Sequence, residues 1–416
     1  MTIYSRFIGI FVGLCLITIL LTYRSFETQY IFYLSWSSGL MMMGLFACLT
    51  LYRGKLSLAT TSSLMIVVPW IILGALIYFS AFDKMEHIKV LSISSFYMVT
   101  SVFIADMIIK SRMSMEKYSY QVLLVWIIVN SALFFLFLVG VYKPVKGDFS
   151  GVFHDRNVFS ITTLLVMAFA ATHLRVRASQ VYKLTLYTSL LVCVGLILIS
   201  KSITGLLGLL VLSFLYSLKL PLKHRYVLFI TVLFALLLLL LTNNPISARL
   251  ERFLIAISGD TDSLRISESA YLRVYIFKHG YELFTQHMWL GVGLNNAKEF
   301  IIWPNRGVGT FLHNNYLDIL TSGGLPLFIV YYAPITYCLA WLIKTRKKVR
   351  NLCDKKAYDL CKLAIVFLIM KFVYDLTWTT YFEFFMVFTA MFSIYAVFHL
   401  KTLLRKSESR LQYRNS

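Results

Sequence analysis

Between positions 271 and 324 the sequence gathers side chains suited to a charged, oxygen-rich substrate: Arg273, the turn Gly291-Val292-Gly293, and the run Leu312-His313-Asn314-Asn315-Tyr316. They lie in the one long polar interruption, 243–323, of a strongly apolar chain, and such a concentration beside a bilayer points to a site rather than a connector. Thr310 or His313 itself could open the helix that continues through Tyr316, Leu317 and Leu320. The amide groups at a helix N-terminus disfavour a second proton on an imidazole. A neutral histidine there is a competent base, and the same amides can bind an anionic oxygen. The plainer alternative is a histidine that only hydrogen-bonds a neighbouring loop.

Arg249, Arg252, Arg265, Arg273 and Arg306 share the 243–323 segment, and Arg156 stands in the run Gly151-Val152-Phe153-His154-Asp155-Arg156-Asn157 at another outer edge. A guanidinium pairs bidentately with phosphate and keeps its charge everywhere, so such a set suits a pyrophosphate leaving group. Taken singly, each arginine also fits a snorkelling or surface-paired role. Arg273 is the exception, because it sits among apolar residues on a segment leading toward the glycine and histidine motifs. Lys371 and Asp375 are four apart near the outer end of a late apolar run and can pair on one helix face. A lone GxG with no preceding strand makes no dinucleotide site. His279 and His287 read as interfacial residues without carboxylate or cysteine neighbours at metal spacing, so neither metal nor cofactor is expected.

These residues need a membrane scaffold to hold them. With 59% hydrophobic and 14% charged residues, and a mean hydropathy of +0.74, a soluble globule is excluded because its surface would be largely apolar. The formal charge of +21 does not indicate nucleic acid, since the cations cluster in short segments between apolar runs. Given about 20 residues per crossing, spans are expected at 7–22, 29–51, 60–81, 87–109, 121–142, 157–173, 183–200, 202–218, 225–242, 325–343, 358–376 and 381–399. The pair 183–200 and 202–218 is short enough to be tilted or partly re-entrant.

Every second loop is basic: Arg53 and Lys55; Lys110, Arg112 and Lys117; Arg175, Arg177 and Lys183; Lys219, Lys223 and Arg225; then 344–350 and the tail from Lys401. This alternation predicts cytoplasmic termini and an outside 243–323 segment. The expectation is an all-α polytopic membrane protein with about twelve transmembrane helices and one large outer helical loop. Its parts are nine helices in 1–242, a loop subdomain at 243–323, three helices in 324–400 and a basic tail at 401–416. The first run reads as a retained span rather than a cleavable signal peptide. Cys15, Cys48, Cys193 and Cys338 fall in apolar runs, and disulfides are not expected. Within the loop, 248–257 has helical spacing, 259–263 reads as a turn, 271–284 as a helix in the interface and 295–309 as irregular.

Taken together, these residues resemble the bacterial O-antigen ligase and O-antigen polymerase superfamily. The stretch from Gly151 to Asn157 is similar to the family's glycine, aromatic, basic and asparagine segment. Arg273 with the later Trp289-Leu290-Gly291-Val292-Gly293 looks like its arginine and GxG segment. His313-Asn314, Tyr316-Leu317 and Gly323-Gly324 look like its HN signature before a returning span. The resemblance implies a GT-C-like, periplasm-facing glycosyltransferase of the inner membrane, inverting and metal-independent, with an undecaprenyl-pyrophosphate-linked glycan as donor. The acceptor would be lipid A core in a ligase or a second lipid-linked glycan in a polymerase, where a chain-length regulator would be a further partner. His313 then corresponds to the base. Arg273, Arg156, Lys201, Arg249, Asn314 and Asp375 correspond to substrate-binding positions. One departure concerns the segment Ser202-Ile203, where ligases carry arginine after the hydroxyl residue. Ile203 takes that place, and Lys201 offers a point charge without the guanidinium fork.

A transporter or flippase for lipid-linked sugars is the contrasting class. It calls for mid-membrane ionisable residues and related halves, whereas Asp106, Lys362 and Asp375 lie near span ends.

Overall fold

The computed structural model describes residues 56–110, 115–142, 149–151, 155–172, 180–217, 269–303, 307, 309–352 and 354–415, with single positions at 230, 248, 251 and 255. The expected spans at 7–22 and 29–51 lie outside the described residues. So do all but one position of 225–242, all but three of 248–257, and Arg249, Arg252, Arg265, Arg306 and His154.

The described chain is all-helical. Its elements are α1 (Leu58–Ile77), α2 (Lys84–Lys110), α3 (Met115–Leu138), α4 (Arg156–Thr172), α5 (Gln180–Ile199), α6 (Ile203–Ser217), α7 (Ser269–Gln286), α8 (Ala297–Phe300), α9 (Asn315–Asn351), α10 (Lys355–Asp375) and α11 (Phe384–Asn415). Six of them (α1, α2, α3, α5, α9 and α11) are long and apolar enough to cross a bilayer, whereas α4 and α6 are shorter apolar helices. Helices are what such runs must form, because hydrocarbon offers no partner for an open backbone amide or carbonyl. Polar caps set several starts: Ser57 accepts from the Thr60 amide at the head of α1, and Asp354 accepts from the Lys356 and Ala357 amides at the head of α10.

α11 packs along α2, α1, α9 and α10, and α10 joins this group to α3–α6 through α4 and α6. Small residues allow the closest approaches. A Cβ on Gly208 of α6 would lie 2.6 Å from the Tyr374 hydroxyl of α10 and 2.7 Å from Leu164 of α4, the arrangement that lets helices pack tightly in lipid. Consecutive spans run in opposite directions. Segments 78–83, 200–202, 287–314 and 376–383 therefore share one end of the bundle with the start of α4, the same parity as the alternation of basic loops.

The opposite end is pinned by Asp106 on α2. Its Oδ1 accepts from Thr60 at 2.7 Å and Tyr395 at 2.6 Å, and it pairs with Lys110 at 2.6 Å.

The long polar segment does not end where hydropathy places it. Residues 315–323 are already helical and run into the following span, so that α9 extends from Asn315 to Asn351 with a break at Gly324. Their polar side chains mimic a loop in composition yet are largely buried. α7 and α8 pack against this outer part of α9. Leu272, Ile276 and Leu283 of α7 meet Val292, Ala297, Ile301, Leu312 and Leu317 in a small core of their own.

Candidate functional site

The outer part of α9 is held by an exchange of backbone hydrogen bonds that Gly323-Gly324-Leu325-Pro326 makes possible. Pro326 has no amide hydrogen, so the Ser322 carbonyl one turn earlier loses its helical donor. Gly324 adopts φ 68° and ψ −170°, which turns the Leu325 amide out of the ladder. The 288–293 segment supplies the replacements. Val292 N donates to Thr321 O at 2.9 Å, Gly293 N to Ser322 O at 2.9 Å, and Leu325 N to Met288 O at 2.8 Å. Gly291 has φ 61° and Gly293 φ 102°, conformations open mainly to glycine.

At Gly291 the approach is closer than any side chain allows, since a Cβ would stand 2.3 Å from the Ser322 carbonyl carbon. G291A is expected to destabilise the protein by about 2–5 kcal/mol, combining left-handed strain with overpacking. Gly307 provides the contrast, with φ +61° and open space around its Cβ position. G307A should cost only about 1–2 kcal/mol, the left-handed term alone. Equal melting temperatures for the two variants in detergent would contradict this reading of the joint.

The same turn is tied to α1 and α2. His87 Nδ1 accepts from the Leu294 amide at 2.9 Å, so the ring is neutral and its Nε2–H donates to Gly74 O at 2.8 Å. Glu86 Oε1 accepts from Asn295 Nδ2 at 2.6 Å and Lys298 Nζ at 3.0 Å. Asn295 N donates to the Tyr381 hydroxyl at 3.1 Å.

From this platform α9 begins. Asn314, and neither Thr310 nor His313, is its cap: the Asn314 side chain accepts from the Leu317 amide at 3.1 Å and donates to Leu376 O at 3.3 Å. His313 stands just outside, with φ 51°, a conformation that histidine and asparagine adopt more readily than most residues. Its ring centre lies 5.2 Å from that of Trp378, with 44° between the planes. Asn315, two residues after the histidine, is fully buried. Its Oδ1 accepts from the amides of Thr380 and Tyr381 at 2.7 and 2.9 Å, and its Nδ2 donates to Tyr332 Oη at 2.8 Å. Asp318 accepts from Thr379 Oγ1 at 2.8 Å and Ser322 Oγ at 3.1 Å. One turn of helix thus fixes both His313 and the 376–381 loop facing it.

Lys371 and Asp375 complete the network. Both are 0% exposed and meet at 2.5 Å, as their four-residue spacing on one helix predicts. Asp375 Oδ2 also accepts from Tyr332 Oη at 2.8 Å, and its Oδ1 from Thr380 Oγ1. Lys371 Nζ donates to Thr380 Oγ1 at 2.6 Å and lies 5.1 Å from the ring centre of Tyr331. The Asp375 carboxylate is enclosed by protein.

Of the residues expected to act together, His313, Asn314 and Asp375 gather around the head of α9. Arg273 lies on α7, between Leu272 and Ile276, which face Leu312 and Leu317 in the small core. The segments that carry Arg156 and Lys201 meet: Ser202 Oγ donates to Asn157 Oδ1 at 2.8 Å and caps the Gly205 amide at 3.0 Å, while the Ser160 and Ser200 hydroxyls meet at 2.8 Å. Lys201 occupies this turn with φ 52°. The two cations share the bundle end with His313. His279 corrects one expectation, because it has a carboxylate neighbour, Glu282 Oε2, at 2.9 Å from Nδ1.

Sequence reading missed Glu86, His87, Asp318 and Trp378. Only Asp318 carried a usable signal, an acidic residue within one turn of the histidine motif.

The fold and this polar end suggest a multi-pass, membrane-type helical protein with a buried polar network beneath a histidine at one end of the bundle. Residues 188–332, about a third of the chain, match the family model of O-antigen ligase. The match takes in Lys201, Arg273, the glycine joint and His313, and it supports the O-antigen ligase and polymerase superfamily. No curated protein matches the chain.

Proposed function

We propose that this protein is an O-antigen ligase-like, inverting and metal-independent glycosyltransferase. It moves a glycan from undecaprenyl pyrophosphate to lipid A core at the periplasmic face of the inner membrane, with its termini cytoplasmic. The observation that carries this reading is His313, presented beside the N-terminus of α9 with cationic segments at the same end of the bundle.

His313 takes the proton from an acceptor hydroxyl as that oxygen attacks the anomeric carbon from the face opposite the leaving group. The glycosidic C–O bond forms, the bond to pyrophosphate breaks, and undecaprenyl pyrophosphate departs with the electron pair. Arg273, Arg156, Lys201 and Arg249 stabilise the charge that develops on it. Asn314 acts at the acceptor side, where it caps the helix. Asp375 contributes through Tyr332, Asn315 and Thr380, since its carboxylate is enclosed.

One observation favours polymerisation as a second reading. Ile203 begins α6 beside the Lys201 turn, where ligases carry an arginine. The donor chemistry is the same and only the acceptor changes.

The test is the purified protein in lipid, given undecaprenyl-pyrophosphate-linked glycan with either lipid A core or a second lipid-linked repeat. Glycan on the lipid A core is the expected product. A ladder of longer lipid-linked chains would establish the polymerase, and no covalent product with either acceptor would sink the transferase assignment.

A further inference from the structure

We propose that Trp378 is the floor of an acceptor-sugar subsite, binding one apolar face of a pyranose ring whose hydroxyl is directed at His313. The proposal rests on the transferase reading and adds to it the class of group that this side chain recognises.

The geometry carries it. The Trp378 and His313 ring centres are 5.2 Å apart. A general base works on a hydroxyl about 3 Å away, and a sugar that offers its hydroxyl from the indole side is within reach of the indole face. Pyranoses have apolar C–H faces, and aromatic side chains meet such faces with a broad, rigid surface.

The loop is built to hold this ring still. On one side of Trp378, Leu376 O accepts from Asn314 Nδ2 at 3.3 Å. On the other, Thr379 donates to Asp318 at 2.8 Å and the Thr380 amide donates to Asn315 at 2.7 Å. The Trp378 amide itself donates to Tyr374 O at 3.0 Å. Thr379, Thr380 and Tyr381 are buried, whereas Trp378 is only half-buried. A large apolar ring fixed in this way beside a candidate base is ready to be covered by a ligand.

The expected signature separates binding from chemistry and acceptor from donor. In steady-state assays of the full-length protein in lipid, W378A should raise the KM for the acceptor glycan about tenfold, worth ~1.4 kcal/mol. Its kcat and donor KM should stay within about threefold of wild type. W378F should recover most of the acceptor affinity, while W378L, apolar but without a flat face, should not. Melting temperatures of all variants show whether the fold is kept. An unchanged acceptor KM in a folded W378A, or full recovery by leucine, would reduce the indole to packing or interfacial anchoring and overturn the proposal. A fall in kcat alone would do the same. A wild-type protein giving no product with any acceptor would instead remove the transferase reading beneath it, so the two failures are distinguishable.

Discussion

Replacing His313 by asparagine is expected to lower kcat for glycan transfer by about 10²–10⁴-fold, the usual contribution of a positioned general base. Asparagine is the informative choice because the backbone here has φ 51°, and asparagine adopts the left-handed conformation at little cost. The turn into α9 is thereby kept while the basic nitrogen is lost. Binding of the lipid-linked donor, measured directly, should change little, since Arg273, Arg156 and Lys201, the described cations assigned to the pyrophosphate, lie on α7, at the start of α4 and between α5 and α6. Full turnover by a folded H313N protein would eliminate the histidine as base. Loss of donor binding together with turnover would move it to the donor side.

The second large effect belongs to the buried pair. D375A leaves the Lys371 ammonium at 0% exposure with only the Thr380 hydroxyl and the face of Tyr331. Breaking a buried pair from one side costs about 3–5 kcal/mol, enough to threaten folding of a marginally stable protein. K371A should cost less, because Asp375 keeps the hydroxyl donors of Tyr332 and Thr380. The double variant K371M/D375L should regain much of the stability, as apolar replacements of buried pairs commonly do. It should not regain turnover, because the chain from Asp375 through Tyr332 to Asn315 that fixes the 376–381 loop is gone. Melting temperature and kcat measured on the three variants test both parts. A double variant as active as wild type would end the positioning role of Asp375.

Hydropathy was sufficient to find the six described helices that are long enough to cross a bilayer, because each is a long apolar run and the bilayer allows no other backbone, whereas α8 falls inside 295–309, which was expected to be irregular. Hydropathy alone begins this span at 325, whereas the residue types already placed a helix start at Thr310 or His313, beside the observed Asn314 cap; that Asn315, Asp318, Thr321 and Ser322 are buried rather than loop-like was not visible in composition. Their burial depends on partners far away in the chain, Thr379 to Tyr381 among them. The Lys371–Asp375 pair was legible because both members lie on one helix at a spacing fixed by helical geometry. His87 and Leu294 are separated by 207 positions, and nothing local in either segment announces the other. The glycine motifs were visible singly. That Gly291 lies against the backbone of Ser322 and Gly324 against that of Trp289 is a property of the fold that neither motif announces.

This interlock has a consequence for traffic. A hinged lid parts from its seat cheaply, but the 288–293 segment shares its amides and carbonyls with the interior of a helix. Lifting it would strip the Thr321 and Ser322 carbonyls and the Leu325 amide of their partners, at about 1–3 kcal/mol for each orphaned group. The segment is an abutment, not a door. On the proposed function, a bulky glycan would have to enter and leave without displacing this segment, which would stay in place through turnover.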